Sequence, residues 1–321
     1  MQNIDFPFPS SPRRSWDLEA AHERDLQWVT SWGLVDTNQA LHRYRKWGIG
    51  ALAAHAFPEA VGPDLELGAN ALGWFTLFDD QFDGPVGEQP KEVVNICHDL
   101  LGVLNGQHTH LDGPFRALAG ALRDLWERST HGMSDAWCGR FHRSWELTFA
   151  GFVQEAEDRV RHAAPDLSSY FHKRVRSLGT YLWCALVERL EECPVPERAW
   201  EFPALGELQY LHGELCVMVN DVFSLDRETD LGDVDGNLIS LLCQDRSITV
   251  PQAVAELMPL AERTIQAINQ HQARLPNIGD RLRLSAEERA RLTHYATCLA
   301  AMSRGNYDWS RQTLRYRAAD A

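Results

Sequence analysis

Proline is absent from five long stretches of this chain, residues 13–57, 115–164, 166–193, 204–250 and 277–321. A proline inside a helix removes a hydrogen bond and clashes with the preceding turn, at a cost of about 3 kcal/mol. The proline-free stretches are therefore where long helices can sit. Their apolar residues agree: Leu118, Leu122 and Leu125, followed by Trp126, and Leu182, Leu186 and Leu190 recur at helical rather than alternating spacing. Hairpin-type dipeptides occur at Asp83–Gly84, Asn105–Gly106, Asp112–Gly113 and Asp235–Gly236. None is flanked on both sides by alternating Val, Ile or Thr, so they read as helix ends and loops. No fixed-period repeat and no Ser/Gly linker divides the chain. These patterns predict an all-α protein of roughly ten helices in one domain, residues 15–321, preceded by a Pro-rich arm over residues 1–14.

Composition narrows the functions such a bundle can have. Apolar residues make up 44% of the chain and charged residues 24%, which excludes a disordered chain. The 31 Lys and Arg against 45 Asp and Glu leave a formal net charge of −14, and a nucleic-acid or anionic-membrane partner requires a basic footprint instead. Seven cysteines without a CxxC pair indicate neither a disulfide framework nor a zinc knuckle. The first residues lack the pattern of a signal peptide, and no apolar run approaches the ~20 residues that span a bilayer. The expectation is a soluble, cytoplasmic protein.

Two segments carry chemistry. In the first, Pro63 to Pro85, an almost wholly apolar helix ends in Asp79, Asp80 and Asp83. Asp79 and Asp83 are four apart and share a face, and all three stand where the helix dipole disfavours negative charge by ~0.3–1 kcal/mol each. A solvated helix end would account for isolated acids, but Trp74, Phe75 and Phe78 precede these, so the helix points out of a core. A cluster of hard oxygen donors suits Mg2+. In the second, Glu207 to Gly232, Asn220, Ser224 and Glu228 stand at i, i+4 and i+8, within an arc of roughly 80°. Asn and Ser are mediocre residues for a helix interior. Alone, this stripe is the polar face of an amphipathic helix. Together, two oxygen-donor stripes facing each other across a bundle can hold divalent ions, and ions with open positions imply an anionic substrate such as a diphosphate.

At this point the chain resembles the class I terpene synthases of the short bacterial type with a single α domain. The family motif DDxxD is present as Asp79, Asp80 and Asp83, and NDxxSxxxE as Asn220, Asp221, Ser224 and Glu228. Arg227 stands where relatives often carry a lysine that touches the diphosphate; Arg174, 46 residues before Asn220, matches the diphosphate-sensing arginine; and Arg315–Tyr316 matches a C-terminal Arg-Tyr pair. The position four after the sensor, often Gly in relatives and part of a helix break that triggers ionisation, is Leu178, with Gly179 next to it.

The resemblance implies a helical bundle around a central cavity. It implies three Mg2+ ions held by Asp79, with Asp83 or Asp80, and by Asn220, Ser224 and Glu228. The diphosphate of a linear prenyl substrate would meet Arg174, Arg227, Arg315 and Tyr316. Farnesyl diphosphate is the first expectation, with geranyl or geranylgeranyl diphosphate as alternatives, and the carbocation formed would leave as a hydrocarbon or an alcohol. A dry lining of Phe75, Phe78, Trp183 and Trp309 would shelter it. Trp183 lies nine residues after Arg174, on the opposite face of a straight helix, so both reach one cavity only if the helix breaks near Gly179. Relatives are often homodimers. Two other readings are prenyl chain elongation, against which Asn220 and Ser224 argue because elongating enzymes carry a second Asp-rich motif there, and a non-catalytic metal-binding helical module.

Overall fold

The structure is a computed structural model that describes residues 4–9, 11–161, 166–231 and 236–317. Among the described residues there are no strands. Fourteen α-helices follow one another: α1 (Leu18–Ser31), α2 (Asn38–Trp47), α3 (Ile49–Ala56), α4 (Gly62–Asp79), α5 (Pro90–Leu104), α6 (Pro114–Thr130), α7 (Asp135–Arg161), α8 (Leu167–Ser177), α9 (Thr180–Leu190), α10 (Glu197–Trp200), α11 (Pro203–Leu231), α12 (Leu238–Arg246), α13 (Val250–Arg281) and α14 (Ala286–Ser310). Short 3-10 turns cover Asp80–Phe82 and Pro85–Glu88. None of these helices is long and apolar enough to cross a membrane.

The count exceeds the expected ten for local reasons. Gly48 and Gly179 adopt left-handed backbone, φ +66° and +71°, and each splits a proline-free stretch into two helices. α10 is a single turn. Helix ends otherwise follow their caps. Prolines open α4, α5, α6 and α13, and Ser285 with Glu288 forms a reciprocal capping box on α14. The Asn105–Gly106 and Asp112–Gly113 dipeptides lie in loops, with positive φ at both glycines. Gly236 lies in the turn before α12, and Asp235 lies outside the described residues.

Proline spacing misplaces one helix. α13 runs for 32 residues and contains Pro259 and Pro276 in its interior. Both prolines are exposed, whereas Leu257, Ile265, Ile268, Leu275 and Ile278 of the same helix are buried. The carbonyls that lose their partners thus lie on the solvent side, where water takes over, and the buried face keeps its packing.

α14 packs on α3 and α11, α7 packs on α5, α8 and α9, and α4 is wedged among α1, α3 and α6. α4 is buried on nearly every side, as its composition requires. The N-terminal arm is held against α14. The rings of Phe6 and Phe8 lie 5.6 and 5.2 Å from Tyr307, the Phe6 amide donates to the Tyr307 hydroxyl, and Arg311 pairs with Asp5.

Candidate active site

α3, α4, α7, α8, α9, α11 and α14 enclose one cavity, and it receives residues of both acidic segments. On the α4 side, the α-helix stops at Asp79 and the chain tightens into a 3-10 turn. Asp79 and Asp83 line the cavity. Asp80 turns instead into a cage of guanidinium groups. It accepts two parallel hydrogen bonds from Arg315 (3.1 and 2.7 Å) and one from Arg227 (2.8 Å). Arg227 donates through the same nitrogen to Asp83 at 2.7 Å. Burial works to raise the Asp80 carboxyl, but the two arginines outweigh it and hold it below the ordinary carboxylate range. Asp79 fares differently. Enclosure by the bundle and the neighbouring Asp83 charge push it up to about 7, against the pull of Arg315. Its side chain is still 41% open, on the cavity that it lines.

On the opposite wall, α11 passes through Asn220 and continues without a break to Leu231. Asn220, Ser224 and Glu228 all line the cavity, as their common face requires. The Ser224 hydroxyl donates to Glu228 Oε1 (2.7 Å), and the Asn220 amide donates to the Tyr316 hydroxyl (2.9 Å). Burial, followed by the charge of Asp221, raises Glu228 to about 7. Asp221 itself faces away from the cavity. Its carboxylate is fully buried and accepts from Tyr170 (2.5 Å) and from the Leu238 amide (3.1 Å).

The break between α8 and α9 brings Arg174 and Trp183 to the same cavity. Leu178 ends α8, Gly179 takes φ +71°, and α9 starts in a new direction. A Cβ on Gly179 would stand 2.9 Å from the Phe75 ring, so the position suits glycine on both counts. The Trp183 indole closes the break by donating to the Leu178 carbonyl at 2.9 Å. Arg174 donates to Glu155 (2.9 Å) and to Asn220 Oδ1 (3.2 Å), which links α8 to α7 and α11. Arg315 and Tyr316 reach the cavity because the turn after α14 is pinned to the end of α2. Trp309 and Thr313 both donate to the Trp47 carbonyl at 2.8 Å, and Arg315 lies 4.7 Å over the Trp47 ring.

The remaining wall is apolar. Phe75, Trp183 and Trp309 line it with Leu52, Phe57, Leu72 and Met302. Phe78 does not. It is fully buried, 4.9 Å from Trp74 and from Phe152, in an aromatic cluster behind α4 that also includes Phe82 and Phe149. Three positions from Phe75 on a helix buried all round, it faces α7 rather than the cavity.

The motifs also leave out part of the mouth. Glu155, Asp158 and Arg159 from α7 and Lys173 from α8 line it. Lys173 pairs with Asp158 at 3.0 Å, and Arg174, Arg159 and Lys173 together hold Glu155 below its ordinary range despite its burial. The run Glu155, Glu157, Asp158, Arg159 at the end of α7 is a sequence signal for a charged helix end, but its spacing does not say that it meets α8.

The donors of the two motifs that face the cavity are all oxygens, from Asp79, Asp83, Asn220, Ser224 and Glu228. This set fits a hard divalent cation. Cys216 lies in the apolar part, where burial pushes its thiol up to about 12, so it supplies no thiolate. Among the described residues no three His, Cys, Asp or Glu side chains already converge as a closed ion cage. The oxygens instead face each other across the cavity, leaving room for a ligand between them.

Comparison with known proteins agrees with this geometry. Residues 70–267 match the family model described as terpene synthase family 2, C-terminal metal binding. The chain is similar to the pentalenene synthase of Streptomyces avermitilis, with 32% identity over 99% of this chain and 94% of the relative. It is equally similar, at 32% identity over 99% of this chain and 89% of the relative, to a Saccharothrix espanaensis (-)-beta-caryophyllene synthase described as (2E,6E)-farnesyl diphosphate cyclizing. Its fold superimposes on the crystal structure of a linalool/nerolidol synthase from Streptomyces clavuligerus in complex with 2-fluorogeranyl diphosphate, with a TM-score of 0.83 and 31% identity over 96% of this chain and 99% of the other.

Proposed function

The chain belongs to the bacterial class I terpene synthases, metal-dependent lyases acting on prenyl diphosphates, and from that premise we propose that it ionises farnesyl diphosphate and releases a sesquiterpene, with Mg2+ as its metal. One observation carries the reading: one cavity is lined by the oxygen donors of both motifs, by Arg174, Arg227 and Arg315, and by the aromatic rings of Phe75, Trp183 and Trp309. Residues 15–321 form the catalytic domain, and residues 1–14 are its arm.

Asp79 and Asp83 from one wall, with Asn220, Ser224 and Glu228 from the other, would hold three Mg2+ ions. Asp83 is preferred to Asp80 because Asp80 is already locked to Arg315. The bound ions supply positive charge that neutralises the leaving diphosphate. The protein's own contribution is positioning. Arg174, Arg227 and Arg315 offer planar donors suited to phosphate oxygens, and the Tyr316 hydroxyl stands beside them. The break at Leu178–Gly179 aims Arg174 at the diphosphate end and Trp183 at the hydrocarbon end. The allylic carbon–oxygen bond breaks heterolytically, both electrons leave with diphosphate, and no protein nucleophile takes part. Phe75, Trp183 and Trp309 exclude water from the cation and present ring faces to it, worth about 2 kcal/mol or more when desolvated. Loss of a proton then gives a hydrocarbon, and capture of water gives an alcohol.

The test uses purified protein with geranyl, farnesyl and geranylgeranyl diphosphates, read by headspace mass spectrometry and diphosphate release. Farnesyl diphosphate should give the most product, only with Mg2+ present, and added isopentenyl diphosphate should not be consumed. Turnover that survives EDTA, or the double substitution Asp79→Ala with Asn220→Ala, would overturn the reading.

A further inference from the structure

Glu228 is held on both oxygens, and one of the two holders lies outside either motif. Ser224 holds Oε1 from one turn back on the same helix, whereas Oε2 accepts a 2.7 Å hydrogen bond from the side-chain amide of Asn237. Asn237 is fully buried at the N-terminus of α12, nine residues after Glu228. Its amide nitrogen also donates to the Asp221 carbonyl of α11 (2.8 Å), and its Oδ1 caps α12 by accepting from the Ile239 amide (2.8 Å). Both N–H groups and the oxygen are thus in use: the two donors reach α11, at Glu228 and Asp221, and the acceptor serves α12.

We propose that Asn237 is a positioning residue that fixes the Glu228 carboxylate for ion binding, a role that rests on the metal-and-diphosphate reading above. A glutamate has three side-chain torsions to immobilise, which a lone Ser224 contact constrains weakly. The Asn237 bond is charge-assisted, draws the carboxylate back toward Asp221, and leaves each oxygen a further lone pair for an ion. The α12 end is itself fixed, because Asp221 accepts from the Leu238 amide and from Tyr170 of α8. Asn237 therefore refers the position of Glu228 to the helix pair α8 and α11 that also carries Arg174 and Asn220.

The residue type separates this role from simple helix capping. Asp and Ser cap helix N-termini about as well as Asn. Neither can replace the amide: Asp would set an acceptor oxygen against both Glu228 Oε2 and the Asp221 carbonyl, and Ser is too short to span both. If Asn237 only caps α12, Asn237→Asp and Asn237→Ser should need no more ion than wild type. If it positions Glu228, both should need more ion.

The experiment is thermal denaturation of the full chain with MgCl2 titrated against a fixed concentration of inorganic diphosphate. Wild type should show a rise in melting temperature that saturates with Mg2+. The variants should melt below wild type without ligands, because buried acceptors lose their donor, and should need about 10–100 times more Mg2+ for half of their own rise, the usual penalty for removing an outer partner of a metal ligand. Turnover of farnesyl diphosphate by the variants should recover in excess Mg2+. Identical Mg2+ half-points in wild type and variants overturn the assignment. No Mg2+-dependent rise in wild type overturns the functional reading instead. If Asn237→Asp does not fold, Asn237→Ser decides alone.

Discussion

The two oxygen-bearing walls of the cavity are built in opposite ways. The aspartate wall sits on an irregular helix end and is held by charge, with Arg315 and Arg227 already paired to Asp80 and Asp83. The Asn220 wall sits on an unbroken helix, where the acid Glu228 is held by neutral partners, the Ser224 hydroxyl and the Asn237 amide, while Asn220 meets the Tyr316 hydroxyl and Arg174. An ion approaching the first wall competes with guanidinium groups, whereas an ion approaching the second meets a carboxylate whose partners need not leave. The difference shows how a chain with net charge −14 keeps a cluster of acids folded: on one side counter-charges offset repulsion, and on the other the acid is spread out among dipoles.

Three groups of substitutions sharpen or break this contrast. The largest effect is expected on activity and should be the same from either wall. Asp79→Ala and Glu228→Ala should each lower kcat/KM for farnesyl diphosphate by roughly 10^2–10^3-fold or more, the scale on which a lost element of transition-state charge stabilisation acts. An order-of-magnitude smaller loss from one wall, measured by product release, would mean that this wall is not a ligand set.

Stability should separate the walls. Arg315→Leu leaves Asp80 short of its bidentate partner and should cost about 3–5 kcal/mol in denaturant unfolding without ligands. Ser224→Ala removes one hydrogen bond to the Glu228 carboxylate and should cost less, about 1.5–3 kcal/mol. Equal losses would show that charge does not hold the aspartate wall.

A further effect comes from a buried acid outside both walls. Asp25 is fully buried and accepts from Tyr44 (2.9 Å) and Asn70 (3.1 Å); burial, only partly offset by these bonds, raises it to about 7. The folded protein then binds a proton that the unfolded chain releases near pH 4, so this group lowers stability as pH rises from about 4 to about 7. Asp25→Asn should remove that slope, so that its stability relative to wild type improves across this range. Mg2+ with diphosphate should leave the difference unchanged, because no ion site lies at Asp25. A difference that Mg2+ abolishes would couple Asp25 to the cavity.

Much of this arrangement was legible from residue types at fixed spacing. Asp79, Asp83, Asn220, Ser224 and Glu228 reach one cavity because helical periodicity states which residues share a face, and the requirement for a break near Gly179 followed from the angle between Arg174 and Trp183. Periodicity does not state what a face meets. Phe78 was expected in the cavity and packs against Phe152, since on a helix buried all round each face is equally apolar. Asn237 and Glu155 carry no motif, and only the packing of α12 and α7 on their neighbours gives them partners. Pro259 and Pro276 defeated the proline argument because their cost depends on the side of the helix that loses its hydrogen bond, which requires knowing where the solvent is.

The clasp between the first residues and α14 bears on the order in which the protein is made. The Phe6 amide binds a tyrosine 301 residues later, and Met302, Asn306, Trp309, Arg315 and Tyr316 complete a cavity that Leu52, Phe57 and Leu72 begin. During translation the early helices leave the ribosome with their apolar cavity faces uncovered and wait for most of the chain before a lid arrives. Synthesis at about 5–20 residues per second makes that wait many seconds long. An enzyme whose chemistry demands a dry interior therefore passes through a long interval in which that interior is wet and exposed, the interval in which a chaperone has most to protect.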